Sequence, residues 1–321
     1  MTSGNKKVPL RCASCAGLRS IELHLYELSR VCDMLDNVRT PPTSKQTKTC
    51  GSKPNTVGIA KWLLVASQVE EVVMDTSQFE EAQFYCEPVL DLQKSDAEHR
   101  GGLATRLTRF VFFCNALEEA YRFCEVTYDA LYVDETSLAS KGKKLKTASM
   151  KAGAVLREHA SRLALPADFS HLVKNFAHLA GVYEQGLSVK LERVVDDDAD
   201  VAFGLDIIRC LRNHVAHGTF PILDNPEYSW NMTERIRRAV LNFLNQAVRV
   251  GALYIQLLLA VDSDGFQSPL YDELSDDPEM GDYFSAHCTV DYLLSLHRAQ
   301  SFGLNESSYF RWSEYSETRA A

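Results

Sequence analysis

Apolar residues in this chain recur at intervals of three and four along most of its length, and no segment shows the two-residue alternation of a half-buried strand. That rhythm restricts the chain to an all-α fold whose helices bury one stripe each against their neighbours. Leu18, Ile21, Leu25, Leu28, Val31, Cys32 and Leu35 mark a first helix. A Pro-, Ser-, Thr- and Lys-rich linker follows from Thr40 to Asn55. Val57–Met74 reads as a second helix and Phe79–Leu92 as a third. The charged stretch from Lys94 ends in Gly101-Gly102, where a boundary is expected. Leu103–Leu131 is a long helix with Leu107, Phe110, Phe113, Cys114, Leu117, Tyr121, Cys124 and Tyr128 on one stripe. Further helices are expected over Ala148–Leu163, Phe169–Tyr183, from near Asp200 to His217, over Met232–Val261, and briefly over Val290–His297. The chain thus divides into an N-terminal helical accessory region (1–100), a helical bundle (103–265) and an acidic C-terminal extension (266–321).

Composition narrows the function classes. With 45% hydrophobic and 24% charged residues, the 321-residue chain can bury a sizeable core. Its longest apolar run, Val250–Val261, is shorter than a bilayer span and contains Gln256. The polar, basic start Met1–Arg11 lacks the apolar segment of a secretory signal. A cytoplasmic protein without a membrane anchor is therefore expected. Nine cysteines, with Cys86, Cys114, Cys124 and Cys210 on apolar faces, fit free thiols in a reducing compartment. A net charge of −9 argues against a protein that coats nucleic acid through bulk positive charge, but leaves room for a local basic cleft.

One short run concentrates chemistry: Arg212-Asn213-His214-Val215-Ala216-His217-Gly218. Gly218 is the expected left-handed residue that ends the helix, and Pro221 reinforces the stop. Arg209, Asn213 and His217 are spaced by four and share a polar face. Five residues at about 100° each place Arg212 and His217 roughly 140° apart, so they do not share a stripe. Convergence needs the arginine to reach around, the helix end to open, or a second subunit to complete the site. Histidine can take a proton from a ribose 2′-hydroxyl or give one to a leaving 5′-oxygen. Arginine can hold phosphoryl oxygens through paired hydrogen bonds as charge builds on them. RNA supplies its own nucleophile, so such a set cuts without a metal or other cofactor and leaves 2′,3′-cyclic phosphate and 5′-hydroxyl ends. The same residues at a helix C-terminus also serve simply as dipole complements and solvated polar groups.

Leu211–Gly218 resembles the signature of the HEPN superfamily, written R-x(4–6)-H and often R-N-x-x-x-H, and Phe113–Tyr121 is similar to the first core helix of many members. The resemblance covers about Leu103 to Val261 and is specific at the motif. It implies a bundle with a four- or five-helix core, the motif ending the penultimate long helix. It also implies a metal-independent endoribonuclease working as a homodimer, with two motifs meeting at the interface. Arg212 and His217 would be the catalytic pair and Asn213 a supporting polar residue. Biological settings would be toxin–antitoxin, anti-phage or stress-response systems, with an antitoxin or regulatory protein as a further partner. Some members keep the fold as non-catalytic scaffolds. His214 matches no fixed position of the family and is either a second acid/base group or an ordinary surface residue.

Arg209, His214, Arg235 and Arg238 are the candidate substrate contacts, with Arg237 beside them. Tyr228 and Trp230 are candidates either for base stacking or for a staple at the helix start. The Lys141–Lys146 loop is either a phosphate contact or a solvated connection. The acidic run Asp196–Asp200 reads as a cap and loop rather than a metal site. Cys12-Ala13-Ser14-Cys15 has zinc-knuckle spacing, but only one such pair is present, so no metal is assigned. Cys32 and Cys50 are the sequence's other offered thiols.

Overall fold

The computed structural model describes residues 12–39, 53–76, 78, 87–132, 147–230, 232–261 and 289–299. Within them the chain forms helices α1 (Ala13–Ala16), α2 (Ile21–Leu35), α3 (Thr56–Ser67), α4 (Glu87–Tyr132), α5 (Ala148–His159), α6 (Phe169–Leu187), α7 (Phe203–Ala216), α8 (Glu234–Ala260) and α9 (Val290–Ser295). Two isolated bridges, Leu18 with Arg298 and Val38 with Asn55, are the sole β-type pairings among the described residues. The fold is an all-α helical bundle, as the periodicity requires.

Helix α8 is the axis. Thr233 caps its N-terminus through Ile236 N–H. From Val240 to Ala260 nearly every side chain is buried, because α2, α4, α5, α6, α7 and α9 all pack on it. An 18-residue window of this helix is long and apolar enough to cross a membrane by composition (mean hydropathy 1.3), yet 89% of that window is buried by neighbouring helices. Apolarity on all sides is what a central core helix needs. The apolar stretch is therefore longer than the run from Val250 to Val261, and the packing accounts for it. Gly251 lets α4 approach: a β-carbon there would lie 2.4 Å from Phe113 Cε1.

The expected break at Gly101-Gly102 does not occur. Helix α4 runs unbroken through it for 46 residues. The segment after α3 explains why glycine stands there. A β-carbon on Gly101 would lie 2.9 Å from the Val72 carbonyl oxygen. Val72 N–H donates to Thr105 Oγ1 at 2.9 Å, and Thr105 donates in turn to the Gly101 carbonyl. Close approach of another backbone, rather than a chain break, fixes the glycine. The same contacts end α3 at Ser67 instead of Met74, since residues 69–75 lie along α4, with Arg109 donating to the Val69 carbonyl at 2.5 Å. The segments at 79–86, 40–52 and 133–146, which include Cys86, Cys50 and the Lys141–Lys146 loop, fall outside the described residues. The other shifts are smaller: α5 ends at His159 rather than Leu163, α6 extends to Leu187, and α7 starts at Phe203.

Both ends of the described chain close over α8. Residues 289–299, assigned by composition to an acidic extension, bury Tyr292, Leu293, Leu294 and Leu296 in the same core as α2 and α3. A buried polar layer joins them. Arg249 donates to the Arg19 carbonyl at 2.6 Å, His24 Nε2 pairs with Gln256 Oε1 at 3.0 Å, and Gln256 donates to the Leu293 carbonyl. Tyr292 donates to Glu27 at 3.0 Å, and His297 to the Ala167 carbonyl at 2.8 Å. Cys32, Cys114, Cys124 and Cys210 are free and buried, as expected.

Two predictions follow from this packing. Gly251→Ala drives a methyl group into Phe113 and lowers unfolding free energy by about 1–3 kcal/mol in denaturant titration. Burial holds His24 well below, and His297 at about 4 against, the ordinary 6.5. Arg249 faces both rings, and Arg298 and Asp168 also face His297. The unfolded chain takes up protons below pH 6.5 that the folded imidazoles refuse, so stability is full above that pH and falls between about 6.5 and 4. His297 alone contributes roughly 2–3 kcal/mol to that fall. Urea midpoints measured across pH 4–8 should show it, and His297→Gln should reduce it to the share that His24 carries.

Candidate functional site

Helix α7 carries the Arg212-Asn213 motif, and its amphipathic pattern decides which way the motif faces. Phe203, Leu205, Ile207, Ile208, Cys210 and Leu211 are buried, while Arg212 and His217 are exposed. Gly204 lets α7 lie close to Tyr254, whose hydroxyl donates to the Val201 carbonyl at 2.8 Å. Asp206 anchors the start of the helix. Its carboxylate accepts from Val194 and Val195 N–H at 2.6 and 3.0 Å and from Arg209 Nε at 2.7 Å. The acidic run contributes turns, with Asp197 and Asp200 accepting from Ala199 and Ala202 N–H and Asp200 pairing with Arg157.

The helix ends as the glycine demands. His217 is the C-cap residue, Gly218 follows at φ 67°, Gly218 N–H donates to the Val215 carbonyl and Thr219 N–H to that of His214. That crossed pair is a Schellman closure, which satisfies carbonyls otherwise left open at a helix end. It leaves the His217 side chain exposed at the tip.

Arg212 turns back toward α4 and pairs with Glu118 at 3.1 Å, both side chains about two-fifths exposed. Arg212, Asn213 and Arg209 form one wall of a cleft of about 160 Å³; Cys114, Glu118, Tyr121 and Ser149 contribute to its other walls. Ligand pockets for small molecules run to roughly 300–1,000 Å³, so this cleft is smaller than a typical small-molecule site. Burial raises the Tyr121 phenol well above its ordinary range, and its hydroxyl has no hydrogen-bond partner among the described residues. His217 does not line the cleft. The structure therefore brings Arg209, Arg212 and Asn213 together and leaves His217 apart at the helix end, in keeping with their angular separation.

The other sequence candidates divide. Arg209 is held by Asp206 and by the Glu192 carbonyl at 2.9 Å, so it braces the cleft wall. His214 is half-buried, its Nδ1 3.1 Å from the Tyr183 hydroxyl, and Tyr183 stacks with Phe220; the ring faces the bundle rather than open solvent. Arg235 and Arg238 lie exposed in the first turns of α8, Arg238 pairing with Glu234 at 2.6 Å, and neither lines the cleft. Arg237 also pairs with Glu234. Trp230 is fully exposed and Tyr228 half-exposed, so Trp230 is no staple. They border a larger, mostly apolar groove of about 980 Å³ between α4 and residues 222–230, whose one histidine, His99, is bonded to the Leu223 carbonyl.

Glu118 was not singled out by the sequence. Its signal is a carboxylate at the edge of an apolar stripe, four residues after Cys114 and three before Tyr121. At the N-terminus, Cys12 lies 3.5 Å from His171 Nε2, and Cys15 completes a cluster with them. Hydrogen bonds from Cys15 and His171 pull the Cys12 thiol down to about 7. No family model, curated protein or solved structure matches the chain.

The two ion pairs of this region should respond differently to mutation. Glu118→Gln changes unfolding free energy by less than about 1 kcal/mol, because its pair with Arg212 is solvent-screened. Asp206→Ala removes the acceptor of two backbone N–H groups and of Arg209, and costs roughly 3 kcal/mol. Chemical denaturation of the two variants checks both values.

Proposed function

We propose that this protein is a metal-independent endoribonuclease of the HEPN type, cleaving RNA by attack of a ribose 2′-hydroxyl on the adjacent phosphate. The observation that carries the reading is the Arg212-Asn213-x-x-x-His217 run at the end of α7, closed by a left-handed Gly218 and followed by the long helix α8. In this reading Arg212 exchanges Glu118 for a backbone phosphate, which fits the cationic wall of the cleft. Asn213 orients that phosphate. His217, exposed at the helix end, takes or gives the proton.

Within one chain Arg212 faces α4 and His217 sits at the helix tip, so the site needs a second motif. A homodimer that sets two α7 ends together supplies His217 from one chain beside Arg212 from the other. RNA is the substrate, no metal enters the chemistry, and the cytoplasm is the expected compartment. A toxin–antitoxin, anti-phage or stress-response setting, with an antitoxin or other regulatory protein as restraint, fits an enzyme of this kind.

A second reading has its own support: Arg212 is already paired with Glu118 in the isolated chain, as befits a HEPN-fold scaffold that binds a partner or nucleotide without cutting. Total RNA incubated with purified protein in EDTA separates the two. The enzyme generates 2′,3′-cyclic phosphate ends, and His217→Ala lowers the rate by about 10²–10⁴ while helicity is kept. Equal cleavage by both proteins, or none by either when folded and dimeric, counts against the enzyme.

A further inference from the structure

We propose that Cys12, Cys15 and His171 form a zinc site that clips the N-terminal segment to the start of α6. The three donor atoms, two Sγ and an imidazole nitrogen, lie within 4.8 Å of one another, and Cys12 Sγ is 3.5 Å from His171 Nε2. A tetrahedral zinc with Zn–S near 2.3 Å and Zn–N near 2.0 Å has edges of about 3.5–3.8 Å between ligand atoms. The cluster is thus close to the size of the site without the metal.

The ligands arrive from two elements 156 residues apart in sequence (171 − 15), which sets this cluster apart from a chance pair of neighbouring thiols. Cys12 Sγ accepts from Cys15 N–H at 3.3 Å, which folds the Cys-x-x-Cys loop around one point. Asn175 Nδ2 lies 2.9 Å from the same His171 Nε2, so zinc takes the place of that amide on the imidazole lone pair and of any proton the nitrogen shares with Cys12. The loop is held in place without using the ligands. Asp168, at φ 61°, accepts from Ser14 Oγ at 2.9 Å and from Arg298 at 2.5 Å instead of capping α6. Arg298 also donates to the Ser14 carbonyl, and Gly17 is where its guanidinium passes, since a β-carbon there would lie 2.9 Å from it. Zinc-specific chemistry follows from the donors: two thiolates and an imidazole select a borderline-soft ion over magnesium or calcium. Solvent fills the fourth position, on the side where Cys12 is exposed. The site stands apart from the Arg212 cleft and shares no residue with it.

Cobalt(II) titrated into the full chain under reducing conditions tests the assignment. The expected result is saturation at one equivalent, with the visible bands of tetrahedral cobalt and a sulfur-to-cobalt charge-transfer band, all bleached by zinc. His171→Ala should weaken cobalt binding at least tenfold, and Cys12→Ser with Cys15→Ser should abolish it, each with the helical circular dichroism kept. Chelation should lower the melting temperature of the wild type and not that of the double variant. Absence of saturable binding in reduced, folded wild type overturns the proposal, as does an unchanged titration for either variant. A Cys12–Cys15 disulfide that forms in air and leaves no metal in the purified protein assigns the pair to redox chemistry instead, and overturns it too.

Discussion

Burial of α8 on every side is the constraint on which the rest of this structure depends. A helix apolar around its whole circumference from Val240 to Ala260 cannot stand at a surface, so six other helices must be arranged to cover it. The covering sets the remaining choices. Gly251 and Gly204 are small where α4 and α7 come closest. Polar groups that α8 cannot avoid, Arg249 and Gln256, are met by backbone carbonyls of Arg19 and Leu293 from opposite ends of the described chain. Buried polar groups left unmatched would cost more than the packing returns, so those ends are held to α8 rather than trailing from it.

The candidate site is a consequence of the same covering. Helix α7 gives its apolar face to the bundle and presents Arg212 on the opposite side, where Glu118 of α4 is the nearest counter-charge. Because the helix closes at Gly218, His217 stands at its end and, among the described residues, does not line the cleft. Arg212, paired with Glu118, and His217, exposed at the helix end, are thus divided among the described residues. The proposed ribonuclease reading turns that division into a reason for dimerisation.

Much of this was legible in the sequence. Period-three-and-four apolar stripes placed α2, α6, α7 and α8 to within a few residues, and the glycine after His217 marked the end of α7 correctly. What escaped was tertiary in origin. Gly101-Gly102 resembles a chain break, yet the glycines serve the approach of the Val72 carbonyl, which lies about thirty residues away in sequence. Val69, Val72 and Val73 continue the apolar count of α3, yet the Val72 N–H and the Val69 carbonyl are claimed by Thr105 and Arg109. Segment 289–299 carries an acidic neighbourhood in sequence but a buried Tyr-Leu-Leu face in space. Around the site, local spacing found Arg212, Asn213 and His217, but could not find Glu118 or His171, whose meaning comes only from another helix brought beside them.

A mixing experiment bears most directly on the central claim, a phosphodiester-cleaving site divided between two chains. Arg212→Ala and His217→Ala proteins are each inactive alone in this account. After subunit exchange, a random two-fold mixture holds half heterodimers, each with one intact composite site, so about a quarter of wild-type RNA cleavage should return. If the mixture stays as inactive as its parents while heterodimers are present, the divided site is wrong.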